Sequence, residues 1–109
     1  MADVIKVLGQ LEAAATTAET LYTVPSLSQT TTSSLVICNR TGGVLSYRVN
    51  IRVAAEAADN KQYLYYDKTL AANETFAAVL GMTLGEGDLV DTYASATGLT
   101  FTLFGVETA

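Results

Sequence analysis

The chain has 109 residues, half of them hydrophobic and 16% charged, which is enough for one hydrophobic core, too little for two, and too apolar for a disordered chain. Its net charge of −5, with six scattered Lys and Arg against eleven acids, excludes general affinity for nucleic acid, which needs clustered basic residues. There is no histidine and Cys38 is the lone cysteine, which removes the usual general base, the commonest zinc ligand and any internal disulfide.

The opening "MADVIKVLGQ" lacks a positive region followed by a long apolar one, and no apolar run reaches the roughly 18 residues that span a bilayer. These features predict a protein without signal peptide or membrane contact, folded in a reducing cytoplasm. "VIKVLGQ" reads as a first strand. "QLEAAATTAE" has helix-forming alanines but is short and carries two adjacent threonines, so it reads as a connecting loop. "ETLYTVP" is a second strand, closed by Pro25, the only proline, which marks the exit into the polar segment "SLSQTTTSS".

"SSLVICN" is apolar on both faces, as a central strand covered on each side would be, with Cys38 expected to act as a small buried hydrophobe. "NRTGG" offers Asn39, Gly42 and Gly43 for a hairpin turn. The clearest strand follows: in "LSYRVNIRV", Leu45, Tyr47, Val49, Ile51 and Val53 fall on one face, and Ser46, Arg48, Asn50 and Arg52 on the other. "AAEAADNKQ" reads as a loop ending in a turn at Asp59 and Asn60. "QYLYYDKTL", "ETFAAVLG", "DLVDTYAS" and "LTFTLFGV" are further strands, separated by the turn sequences "AANE", "LGEGD" and "SATG".

Eight short strands in one small chain predict an all-β, antiparallel two-sheet β-sandwich, jelly-roll or immunoglobulin-like. The whole of 1–109 forms a single domain, with 1–20 open to a role as an N-terminal arm. In the last strand Phe104 and Val106 fall on the face that Thr100 and Thr102 would turn to water, so that face calls for a cover, supplied by the N-terminal segment or by another subunit.

Few residues suggest chemistry. "GMTLGEGD" lacks the lysine and the helix of a phosphate-binding loop. Glu86, Asp88 and Asp91 do not match the spacing of a calcium loop and read as a tight turn into a strand; Asp88 and Asp91 also give the weakest reading, a hydrolase with paired carboxylates. No catalytic residue, metal ligand or cofactor is expected. The tyrosines of "QYLYYD" are the remaining cluster: Tyr63 and Tyr65 are predicted on one face and Leu64 and Tyr66 on the other, with Asp67 as a polar neighbour. Such rings suit a protein interface or stacking on a sugar.

Taken together, "VLGQL", "LYTVP", "SSLVICNRTG", "QYLYYDKTLAANETF", "MTLGEGDLVDTYAS" and "LTFTLFGVE" resemble a group of small all-β structural proteins of tailed bacteriophages, over nearly the whole chain from Val7 to Glu107. The resemblance implies a non-enzymatic virion component, made in the host cytoplasm and assembled as a homo-oligomer with copies of itself and other virion proteins. The reading leans to the tail or fibre region over the capsid surface. The alternatives are a head decoration protein that stabilises the capsid, or a carbohydrate-binding module that uses Tyr63, Tyr65 or Tyr66 with Asp67 on a host surface glycan. Phe104 and Val106 are the predicted interface residues.

Overall fold

The alternating stretches fold as nine strands: β1 (Asp3–Glu12), β2 (Glu19–Thr23), β3 (Gln29–Asn39), β4 (Leu45–Arg52), β5 (Tyr63–Leu70), β6 (Thr75–Ala78), β7 (Thr83–Leu84), β8 (Leu89–Ala94) and β9 (Leu99–Thr108). They come from a computed structural model that describes residues 3–109. One sheet has the order β1-β9-β3-β6, with β7 also on β3; the other has the order β2-β8-β4-β5. Every strand pair is antiparallel.

β6 and β7 lie end to end along β3, opposite Leu35–Cys38 and Thr30–Thr31 respectively, and together fill one strand position. The outermost strands in sequence pair in space, β1 with β9 and β2 with β8, while β4 and β5 pair in the middle. That nesting in two sheets is a jelly roll, which decides against the immunoglobulin-like alternative. β1, in the stretch left open as an N-terminal arm, pairs with β9 from Asp3 to Glu12.

The inward rows of the two sheets meet in a dry core. Leu35 and Ile37 of β3, Val49 of β4, Val90 and Ala94 of β8, and Leu99, Phe101 and Leu103 of β9 are all 0% exposed. Tyr47 stacks on Phe76 and meets Phe101 and Tyr65 edge-on, at centroid distances of 6.3, 6.4 and 5.9 Å. Rings in these arrangements each contribute about 0.5–1.5 kcal/mol beyond area burial. Burial, with the neighbouring Tyr65 as a smaller cause, pushes the Tyr47 hydroxyl up to about 12.

Two glycines set the closest backbone approaches. A Cβ on Gly9 would stand 2.3 Å from the Leu21 carbonyl oxygen, and one on Gly105 would stand 2.5 Å from that of Thr31. Only glycine lets the strands come this near.

Four local expectations need correction. "NRTGG" is no hairpin: β3 and β4 belong to different sheets, and neither Gly42 nor Gly43 has a positive φ. What shapes this crossing is Asn39, whose amide donates to the carbonyls of Gly43, Leu70 and Ala71 at 2.9, 3.0 and 3.2 Å while its Oδ1 accepts from Thr41 N and Oγ1 at 2.9 and 2.7 Å. The polar "QTTTSS" is strand and not exit loop, because Thr30 and Thr32, both nearly fully buried, satisfy their hydroxyls within the fold. Cys38 is half-buried on the outer row of β3, so that strand is not covered on both sides within the subunit. Val53 leaves the apolar face of "LSYRVNIRV" for a 3-10 turn and is 59% exposed.

Candidate functional site

The outer face of the β1-β9-β3 sheet carries the first candidate. Strand register sets Phe104 of β9 beside Val7 of β1 and Ser34 of β3, and Val106 beside Ile5 and Thr31. Phe104 and Val106 thus stand on the outer row with Thr100 and Thr102, as the sequence predicts, and are half-buried. The N-terminal segment flanks them as a neighbouring strand and does not lie over them. Ile5 is 85% exposed and Val7 47%, so the row Ile5, Val7, Phe104, Val106 and Val36 is apolar and open.

The same strand carries an exposed edge. A sheet edge displays unpaired backbone groups, and proteins blunt it with short strands, bulges or charge. Three of the four edges here are blunted: β2 has five residues, β6 and β7 have four and two, and β5 is bulged twice against β4 with exposed Asp67 and Lys68. β1 has ten residues, one register shift near Leu8 and no proline. Its one lysine, Lys6, pairs with Glu107 at 2.9 Å and does not guard the edge.

The second candidate lies on the outer face of the other sheet. The bulges in β5 change the predicted partition of tyrosines: Tyr65 pairs in register with Val49 and Tyr63 with Asn50, which places them on opposite faces. Tyr65 joins the core, edge-on to Tyr47 and Phe76 at 5.9 and 5.8 Å. Tyr63 and Tyr66 come together outside, with centroids 4.8 Å apart and planes at 79°. Asp67, at φ 51, receives two hydrogen bonds from Arg48, at 2.6 Å from Nε and 3.3 Å from Nη2.

Sequence reasoning did not include Arg48 and Tyr93 in this cluster. The Arg48 guanidinium lies 4.3 Å from the centroid of Tyr66 and 4.4 Å from that of Tyr93, a double cation–π contact. The hydrogen bond it donates to Asp67 holds the Arg48 pKa above its ordinary value. Both residues fall on the polar rows of their strands, but their meeting depends on β4 pairing with β8, Arg48 opposite Tyr93. No spacing within the sequence states that pairing.

The acidic turn performs backbone work. Asp88 accepts from the backbone N–H of Gly85 and of Ala54, each at 2.8 Å. Asp91 pairs with Arg52 at 2.8 Å and accepts from the Thr20 hydroxyl at 2.9 Å. Both carboxylates have structural partners, and no cluster of three or more metal-ligating side chains occurs among the described residues. No helix among them is long and apolar enough to cross a membrane.

A buried polar link through side chains of both sheets joins Asn39 and its Leu70 contact in tying them together. The Tyr22 hydroxyl, on β2, donates to Glu107 of β9 at 2.5 Å and lies 2.8 Å from the Thr30 hydroxyl of β3. Hydrogen bonds from Tyr22 and then from Lys6 hold the Glu107 carboxyl below its ordinary range. Burial, and then the bond to Glu107, pushes the Tyr22 hydroxyl up to about 12.

No known protein family matches this chain, and no curated protein sequence does. Among solved structures it is similar to a chain of infectious bursal disease virus, Gx strain, with a TM-score of 0.53, 11% identity, and coverage of 97% of this chain and 32% of that one. A chain of the Gt strain gives 0.51, 9%, 96% and 31%. A chain in the crystal structure of the T13 particle of the same virus gives 0.50, 10%, 96% and 30%. This chain therefore spans about a third of the length of those chains. At such identities the likeness shows a shared fold: a two-sheet jelly roll of the kind found in chains of a virus particle.

Proposed function

We propose that this chain is a non-enzymatic structural subunit of a virus particle, joined to copies of itself through β1 and the apolar outer row beside it. The observation that carries this reading is the long β1 edge, with one bulge and no free charge to guard its middle, next to Ile5, Val7, Phe104 and Val106. Interfaces between permanent partners are hydrophobic enough to resemble a core cut in half, and an open apolar edge strand left uncovered is an aggregation hazard. A second copy pairing its own β1 with this edge in a two-fold contact supplies the missing backbone partners and sets a matching apolar row beside the first. The jelly roll shared with chains of an icosahedral particle supports a place in or on the shell, as a capsid-surface or decoration subunit, over the tail or fibre position that the phage resemblance favours.

The test is light scattering on the wild-type protein and on a variant carrying Ile5→Asp and Val7→Asp. The wild type is expected as a defined multimer and the variant as a folded monomer with an unchanged circular-dichroism spectrum. A wild-type protein that is monomeric at high concentration and absent from purified particles by mass spectrometry would refute the proposal.

A further inference from the structure

We propose that the recess lined by Asn60, Tyr63 and Tyr66 binds a saccharide, with a pyranose ring stacked in the corner between the two tyrosines. The rings stand 4.8 Å apart at 79°, so one offers a flat platform and the other a side wall. A pyranose has an apolar C–H face for such a platform and a rim of hydroxyls. The Asn60 side chain beside the rings carries both a donor and an acceptor, which is what adjacent hydroxyls require. The recess has a volume of about 390 Å³, within the scale of small-ligand sites.

The surroundings select a neutral ligand and hold the corner ready. Arg48 and Asp67 satisfy one another, and Lys61, next to Asn60, pairs with Glu56 at 3.4 Å, so neither charge is free to seek an ion. The Arg48 guanidinium packs on Tyr66 and Tyr93 and fixes the first ring. Asn60 begins a 3-10 turn closed by a reciprocal cap between Asp59 and Gln62. Groups fixed before binding lose little freedom on binding. A partner protein adding a strand here is disfavoured by the two bulges of β5 and by the left-handed backbone at Asp67.

This inference does not depend on the assembly reading. A single site of this size implies weak affinity, which repetition on a particle would strengthen by avidity. The test is a glycan array followed by ¹H–¹⁵N NMR titration with glucose, galactose, mannose and N-acetylglucosamine, on the wild type and on the Ile5→Asp, Val7→Asp variant. Saturable shifts confined to amides of residues 59–67 are expected in both proteins. Tyr66→Ala should weaken binding at least about tenfold, a loss near 1.4 kcal/mol. Asn60→Ala, at an exposed position, should weaken it several-fold with the rest of the spectrum unchanged. Absence of array binding and of shifts with every sugar would overturn the proposal, as would shifts that Tyr66→Ala leaves intact. A particle reconstruction with Tyr66 buried under another subunit would overturn it too.

Discussion

Replacing Tyr22 by Phe removes one oxygen atom and tests the link between the sheets. The ring keeps its place, since Tyr22 is 7% exposed and Phe has the same shape. What is lost is a charge-assisted hydrogen bond to Glu107 at 2.5 Å and a contact with the Thr30 hydroxyl at 2.8 Å. Hydrogen bonds to charged groups are worth about 1.5–3 kcal/mol and neutral ones about 1 kcal/mol. Glu107 keeps Lys6 as a partner, which argues for the lower part of the range, so a net loss of about 2 kcal/mol follows. At about 4–8 °C per kcal/mol for a small domain, the melting temperature should fall by about 10 °C near neutral pH. The pH dependence is the sharper readout. Glu107 has a folded pKa below its unfolded one, so its contribution is present above the unfolded value and disappears as pH falls through the folded one. The gap between wild type and Tyr22→Phe should therefore narrow in acid. At the alkaline end Tyr22 has a folded pKa raised to about 12; its contribution is complete below the unfolded value and is lost as pH rises through the folded one. Thermal melts across the pH range measure both effects. A variant as stable as wild type at neutral pH, or a gap that does not change in acid, would refute the reasoning.

Asn39→Asp should destabilise by more than about 3 kcal/mol, because three carbonyls lose a donor and face a carboxylate instead; urea unfolding at rising pH should show the loss deepen as that carboxyl ionises. Gly9→Ala forces a Cβ onto the Leu21 carbonyl and is expected to cost about 3 kcal/mol, the upper end for overpacking. Gly42→Ala meets nothing within 4 Å and should change stability by less than about 0.5 kcal/mol, so the pair of melting temperatures separates close approach from loss of glycine as such.

Strand composition was legible wherever burial on one face imposes a period of two. Tyr47 and Val49 are buried as "LSYRVNIRV" predicts, and Phe104 and Val106 lie on the row assigned to them. What alternation cannot carry is the identity of the partner strand. The "NRTGG" crossing has hairpin residues but joins two sheets, since β3 is claimed by β9 and β6. Alternation also fails at bulges: one extra residue in β5 reverses Tyr63 relative to Tyr65, and the sequence around Leu64 contains no glycine to announce it. The polar strand Gln29–Ser34 escaped detection because its buried threonines are paid for by hydrogen bonds, as in Thr32 Oγ1 to the Leu80 carbonyl at 2.5 Å, and hydroxyl satisfaction has no sequence period. The outer tyrosine–arginine cluster was half visible, through Tyr63, Tyr66 and Asp67, and half hidden in the pairing of β4 with β8.

The position of β9 has a consequence for how the domain is made. This strand is translated last of the nine, yet it sits between β1 and β3 and contributes Leu99, Phe101 and Leu103 to the centre. Until it leaves the ribosome, β1 has no strand to pair with, and the layer that holds β1 and β3 stays incomplete. Closure is thus delayed until β9 has been made, and a premature stop within Leu99–Thr108 would leave an open template for clumping in place of a shortened but working product.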